Sequence, residues 1–329
     1  MSNSNEGDSC QICKSKDVNP LLKWNRFSIS ECRQCKVVFA TPLPSDQELN
    51  DFYQGFLFNK PRENEIAKTL ANRKDELIRL FAWTNDLKGK SFLDVGGGTG
   101  MAYKAAKDLG LIAYYQDLDE QAKTFTKEQF GLTDEFILTE LEGTDVKYDC
   151  VFSDNVIEHV KDPIAFTNLL FTLVAPGGTM VMKTPNARNT EMYFNPIISI
   201  KGYVLRAIKD NNLPKALFLY FKRFWHCDPP RHLYSFTAKS FDHLVGNMEE
   251  TELTHEVSYY RTPWFSNTVT KWIFRGDSGS NSIKSILIRC LVLPIIPVEV
   301  ILQTLKWLLL TLGILSPGGL VLTLRRTKR

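Results

Sequence analysis

The sequence has no strong charge of either sign, no internal repeat and no uninterrupted apolar span, and each lack removes a class of protein. Among 329 residues, 40 Lys and Arg oppose 37 Asp and Glu, a net charge of +3. So small an excess gives no broad cationic surface for nucleic acid, and any basic contact face must be local. Met1 to Ser9 is polar and lacks the apolar core of a secretory leader. The chain is therefore expected in the reducing cytoplasm, where disulfides do not persist. From Ile283 to Leu315 it is very apolar, but Arg289, Pro294, Pro297, Glu299 and Lys306 interrupt the run. No window reaches the ~20 continuous apolar residues of a spanning helix. Buried or interfacial helices are expected there, with peripheral contact at the inner face of a membrane left open.

What is present begins with cysteine. Of seven cysteines, four form the pairs Cys10-x-x-Cys13 and Cys32-x-x-Cys35, with 18 residues between the pairs. Two such knuckles bring four thiolates around one tetrahedral ion, and a full set of sulfur ligands leaves no position for substrate. A structural zinc is expected at Cys10, Cys13, Cys32 and Cys35. A segment this short buries little core, so the metal would supply most of its folding energy. Cys150, Cys227 and Cys290 have no partner at ligand spacing.

Residues 1–9 read as a tail and 10–40 as the zinc-binding module. Residues 41–89 read as a helical connector, with a helix start at Pro44-Ser45-Asp46 and apolar residues at helical spacing from Glu63 to Trp83. Residues 90–189 alternate apolar strands with amphipathic helices. The strands read as Ser91–Val95, Ile112–Gln116, Phe136–Leu138, Asp149–Ser153 and Thr179–Thr184, a rhythm of parallel βαβ units. Residues 190–235, rich in aromatic and basic side chains such as Lys201, Arg206 and Arg231, read as an insertion that caps the substrate site. Residues 236–329 return to the fold through a helix at Ala238–Met248 and strands at Leu253–Tyr260 and Leu320–Arg325.

The first of those strands runs into a glycine-rich turn, Phe92-Leu93-Asp94-Val95-Gly96-Gly97-Gly98-Thr99-Gly100. Glycine lets the backbone approach a ligand that a side chain would keep away. A dinucleotide loop would need a small residue where Met101 stands, and a P-loop would need a Gly-Lys-Ser/Thr ending that is missing. The pattern Asp94-x-Gly96-x-Gly98-x-Gly100 instead resembles motif I of the class I methyltransferases that use S-adenosylmethionine (SAM). Three further stretches carry the resemblance in order: Tyr148–Val160, Leu173-Val174-Ala175-Pro176-Gly177-Gly178, and Lys183-Thr184-Pro185-Asn186.

The resemblance implies an α/β, Rossmann-like fold with a central, mostly parallel seven-stranded sheet flanked by helices. It implies that Gly96, Gly98 and Gly100 pass under the methionine part of SAM while Asp94 orients its amino group. Asp117, at the end of the next strand, would accept both ribose hydroxyls, and Asp154 would close the cofactor set. The residues after the third strand, Thr139-Glu140-Leu141, lack the Gly-Asp pair common in the family.

Methyl transfer is an in-line displacement in which positioning does most of the work, although a hydroxyl acceptor also profits from a base. His232, in Asp228-Pro229-Pro230-Arg231-His232-Leu233-Tyr234-Ser235-Phe236, is the first candidate. That segment resembles a Pro-Arg-His-Leu-Tyr-x-Phe signature of sugar- and polysaccharide-associated methyltransferases. Related sugar C-methyltransferases carry Tyr-x-Glu-His near here, and Pro229 and Arg231 replace their Tyr and Glu. Oxygen is thus the expected acceptor atom. His159, in Glu158-His159, is the second candidate. The expected acceptor is a small molecule, sugar-like or anionic, with Arg231 suited to a phosphate. Sugar C-methylation, RNA methylation and a non-catalytic SAM-binding scaffold are the alternatives.

Overall fold

The computed structural model describes residues 9–54, 60–84, 86–194, 227–249, 252–261 and 296–328. They fall into two compact units. The first comprises residues 1–184, 227–258 and 321–329, and the second residues 185–226 and 259–320.

In the first unit the two cysteine knuckles flank the first hairpin of a small antiparallel sheet. Strands β1 (Val18–Trp24), β2 (Phe27–Cys32) and β3 (Val38–Thr41) pair in order, with Trp24 opposite Phe27 across the first turn. The residue after each knuckle, Lys14 (φ 59) and Lys36 (φ 66), adopts the left-handed conformation. Their N–H groups donate to the carbonyls of Cys10 and Cys32, which curls each loop back so that its two sulfurs point the same way. A fourth strand, β8 (Tyr234–Ser235), comes from some two hundred residues later and pairs with β3, Phe39 opposite Tyr234 and Val38 opposite Ser235.

Helices α1 (Asp46–Gln54) and α2 (Glu63–Leu80) lead into the main sheet. Its strands are β4 (Ser91–Val95), β5 (Ile112–Gln116), β6 (Tyr148–Asp154), β7 (Val174–Pro185), β9 (Leu253–Tyr260) and β10 (Gly319–Arg326), in the order β5-β4-β6-β7-β10-β9. The β5–β4, β4–β6 and β6–β7 pairs are parallel. Central strands of a parallel sheet are covered on both faces and so read as continuous apolar runs. Phe92 and Leu93 on β4, Val151 and Phe152 on β6, and Met180 and Val181 on β7 are all buried. Phe81, just past α2, packs edge-on against Phe92 and Phe152.

Crossover helices α3 (Met101–Asp108), α4 (Glu120–Phe130) and α5 (Pro163–Thr172) have local causes. Asp119 caps α4 by accepting from the N–H groups of Gln121 and Ala122, and Gly131 (φ 64) ends it. Asp162 caps α5, and Pro163 fills its first position, where a missing N–H costs nothing. The expected strand at Phe136–Leu138 is reduced. Asp134–Phe136 forms a 3-10 turn, and Ile137 makes a single parallel bridge to Tyr115 at the β5 edge. The main sheet has six strands, not seven, among the described residues, and the ladder beyond β5 stops after one residue.

Helix α6 (Ala238–Val245) follows β8 and is fixed by a capping box. The Thr237 hydroxyl accepts from the Ser240 N–H, and the Ser240 hydroxyl accepts from the Thr237 N–H. The same Thr237 hydroxyl donates to the carbonyl of Cys35, tying the helix start to the second knuckle.

In the second unit, α7 (Ile296–Thr311) carries part of the apolar stretch, while residues 283–295 lie outside the described ones. Among the described residues no helix is long and apolar enough to cross a membrane. The Asn186 amide donates to the Ser316 hydroxyl and the Pro317 carbonyl, closing this unit's chain ends on each other.

Replacing Thr237 with Ala removes both the helix cap and the bond to Cys35. Loss of a cap costs about 1 kcal/mol, so the urea midpoint should fall; an unchanged midpoint would show that the cap is replaceable.

Candidate active site

Strand β4 ends at Val95, and the chain turns through the glycines before α3 begins. Two features of this turn need glycine. A Cβ on Gly97 would lie 2.5 Å from the Tyr115 ring and 2.8 Å from an Asp94 carboxylate oxygen, so no side chain fits there. Gly98 has φ +51 and nothing within 4 Å of its Cβ direction, leaving bare backbone next to open space.

Asp117 lies immediately beside that bare backbone. One carboxylate oxygen accepts from the Gly98 N–H at 2.7 Å, and the other accepts from the Asp119 N–H at 2.8 Å. Burial raises its pKa, opposed by those donors. The acid at the end of β5 is thus bonded directly to the loop after β4, and each oxygen keeps a further lone pair.

Asp94 is placed differently. It is 2% exposed, and its carboxylate accepts from the Tyr103 N–H in the first turn of α3. Burial pushes its pKa up to about 7, with the Arg73 charge opposing. Gly96 and Gly100 sit at the two ends of the turn, packed against Val156 and Thr126.

Asp154, at the end of β6, is occupied by cations. Its Oδ2 accepts from Arg73 at 2.7 Å and Lys183 at 3.1 Å, and Glu76 takes a second bond from each. Burial works to raise the Asp154 pKa, but Lys183 and Arg73 hold it below the usual carboxylate range. Two cations and two anions from α2, β6 and β7 thus form one network. Nothing in the sequence pairs Arg73 with a carboxylate 81 positions away, which is why reading along the chain misses it.

A few residues past β6, Glu158, His159 and His232 come together. The Glu158 carbonyl accepts from the Leu233 N–H at 2.8 Å, which holds the segment after residue 227 against the loop after β6. The two imidazoles lie 4.6 Å apart, centroid to centroid. Donor geometry fixes their tautomers. His159 Nδ1 lies 2.8 Å from the Arg231 carbonyl, which can only accept, so Nδ1 carries the proton. His232 Nε2 receives Arg231 Nε at 3.2 Å, and a guanidinium can only donate, so Nε2 is bare and Nδ1–H faces the Asp228 carboxylate. Burial and then the neighbouring His232 push the His159 pKa down to about 4.

Tyr53, on α1, adds its hydroxyl 2.9 Å from His159 Nδ1. It was not legible as a site residue, whereas Asp228, four positions before His232, lay in plain view.

The cysteines gather as the spacing requires. The Sγ atoms of Cys10 and Cys35 are 3.5 Å apart and those of Cys13 and Cys32 are 3.4 Å apart. All four lie within 4.8 Å of one another. Sulfurs at ~2.3 Å from a tetrahedral zinc would be roughly 3.8 Å apart, so the cluster fits that ion.

A mostly parallel sheet with a bare glycine turn after its first strand, and an acid bonded to that turn from the next, defines a Rossmann-like methyltransferase fold. The chain matches the family described as methyltransferase domain over residues 62–248, more than half its length. It belongs to that family.

Curated relatives agree at the level of the domain. The chain is 34% identical over 142 residues to a ubiquinone biosynthesis O-methyltransferase of Psychrobacter arcticus, covering 40% of this chain and 54% of that protein. It is 35% identical over 147 residues to a protein of the same name from Acinetobacter baylyi, covering 41% and 58%. The chain thus spans little more than half the length of the curated relatives it matches. Among solved structures, a SAM-dependent methyltransferase from Archaeoglobus fulgidus is 15% identical, with a TM-score of 0.42 over 77% of this chain and 94% of that one.

The pH dependence of Asp94 follows from its burial. Between about pH 4 and 7 the folded chain holds a proton on Asp94 that the unfolded chain has released. Asp94 therefore costs stability as pH rises through that window. Asp94→Asn should gain on the wild type as pH increases and level off above 7, read by urea unfolding at several pH values; a constant difference would place the titration elsewhere.

Proposed function

We propose that the protein transfers a methyl group from SAM to an oxygen atom of a small molecule. The observation that supports this reading is the bare backbone at Gly98, beside open space, with Asp117 bonded to it. Gly96, Gly98 and Gly100 would lie along the methionine part, and Asp117 would accept from the ribose hydroxyls. Asp94 would meet the cofactor's amino group, whose positive charge would release the carboxyl proton that burial retains. Asp154 would act at one remove, holding Arg73 near the loop.

The reaction forms a C–O bond as the S–CH3 bond breaks, leaving S-adenosylhomocysteine, and the acceptor hydroxyl loses a proton. His232 is the candidate base. Its Nε2 lone pair is already defined, and Asp228 would stabilise the imidazolium. Arg231 caps that nitrogen and would have to swing off it, which frees a guanidinium for an anionic acceptor. His159 would shape the methyl pocket beside it.

Oxygen as the acceptor is supported by the relatives' names, which specify O-methylation. Those names give no support to the sugar class suggested by the Pro-Arg-His-Leu-Tyr segment, so the acceptor is proposed only as a small hydroxyl compound. A structural zinc in the four-cysteine cluster completes the reading, supported by the sulfur spacing.

Calorimetry with SAM and detection of S-adenosylhomocysteine test these roles together. Asp117→Ala should abolish measurable SAM binding. His232→Ala should leave SAM affinity within about twofold but slow turnover by ~100-fold or more, the scale of general base catalysis. Unchanged affinity in the first variant, or full activity in the second, removes that residue from its role. Wild-type protein that binds SAM yet never forms S-adenosylhomocysteine with hydroxyl acceptors would be a scaffold.

A further inference from the structure

We propose that Glu158, His159 and His232 form a divalent metal site, separate from the four-cysteine cluster. One donor atom from each lies within 4.8 Å of the others, near enough for the three to close on a single ion.

Three observations point to a cation rather than to packing. The first is an orphaned acceptor. Glu158 is 1% exposed; its Oε2 accepts from the Thr184 hydroxyl, while its Oε1 is buried with no hydrogen-bond partner. A buried carboxylate oxygen left unsatisfied costs more than a hydrogen bond returns. The second is the tautomer pair derived above. Both imidazoles carry their proton on Nδ1, so each has a lone pair on Nε2. Burial pushes the Glu158 pKa up to about 7, and a cation would release the proton that burial retains.

The third is the outer layer. A ligating histidine normally donates its other N–H to a carboxylate or a backbone carbonyl, which fixes the ring and strengthens the ligand. His232 Nδ1 meets the Asp228 carboxylate, and His159 Nδ1 meets the Arg231 carbonyl. Both supports are in place. The Arg231 guanidinium, resting on His232 Nε2, puts a positive charge where the ion's charge would fall.

Two imidazoles and one carboxylate suit a first-row divalent ion such as manganese, cobalt or zinc, with open positions left for an oxygen ligand. An acceptor hydroxyl bound there would give up its proton to solvent water more readily, because the ion stabilises the alkoxide. This site rests on the methyltransferase reading above and alters one step of it, the fate of the acceptor proton, with His232 serving as a ligand instead of a base. Arg231 must leave as the ion enters.

The test counts metal and does not depend on turnover. Full-length protein with its cysteine cluster loaded with one equivalent of zinc is titrated with cobalt(II), then gel-filtered and analysed for both elements. Wild type should retain one zinc and one cobalt, with visible bands lacking the charge-transfer absorption of thiolate ligation. His159→Ala and Glu158→Gln should each lose the cobalt and keep the zinc, whose retention reports a folded chain. Wild type with no cobalt, or variants that hold it as tightly as wild type, would overturn the proposal. SAM calorimetry on the same samples separates the two readings: SAM binding without cobalt sinks only the metal site, and cobalt without SAM binding sinks only the methyltransferase reading.

Discussion

Two backbone hydrogen bonds fix where the candidate acceptor residues stand. The Leu233 N–H donates to the Glu158 carbonyl, and the Leu233 carbonyl accepts from the Ala40 N–H, so one residue is gripped from opposite sides. One side is the loop after β6 of the main sheet, and the other is β3 of the cysteine module. His232 precedes Leu233, and β8 follows it. The histidine is therefore placed by the module and the sheet together, and neither alone would position it. The position of His232 thus depends on the cysteine module as well as on the sheet. Burial of Cys10, Cys32 and Cys35 holds the strand against which the site segment lies.

The cofactor end relies on a different kind of constraint. Around Gly97 the Tyr115 ring and the Asp94 carboxylate fill the space a side chain would take, which presses the turn into one shape before a ligand arrives. Asp117 then locks it from the next strand. Such preorganisation means that little ordering remains to be done on binding. The Arg73–Glu76–Asp154–Lys183 network serves the same end from beneath. Its charges balance, and breaking a buried pair is costly because the remaining charge has no partner.

Much of this was legible along the chain. The strands at 91–95, 112–116 and 253–260, the glycine turn and the paired cysteines all depend on local pattern, and local pattern is what a sequence displays. The missing strand at 136–138 shows the limit. Phe136 and Leu138 have the residues of a strand, but Asp134 starts a 3-10 turn, and only Ile137 reaches the sheet edge. The site histidines were identified one at a time, from Glu158-His159 and from the Arg231-His232 segment. Their meeting was not visible, because it depends on a return of the chain over more than seventy residues. Tyr53 and Arg73 escaped for the same reason: each is one polar residue on a helix until the fold brings it to the site.

The pairing of β3 with residues so far along the chain has an effect on how the protein comes into being. As the polypeptide leaves the ribosome, the cysteine module can close its knuckles and its three strands at once. Its outer edge, Val38 to Thr41, then stays open until residue 235 has been made. An unpaired, apolar edge strand invites pairing with another chain. For most of its synthesis, then, the nascent protein carries a ready site for misassociation, and the short segment carrying His232 is what finally closes it.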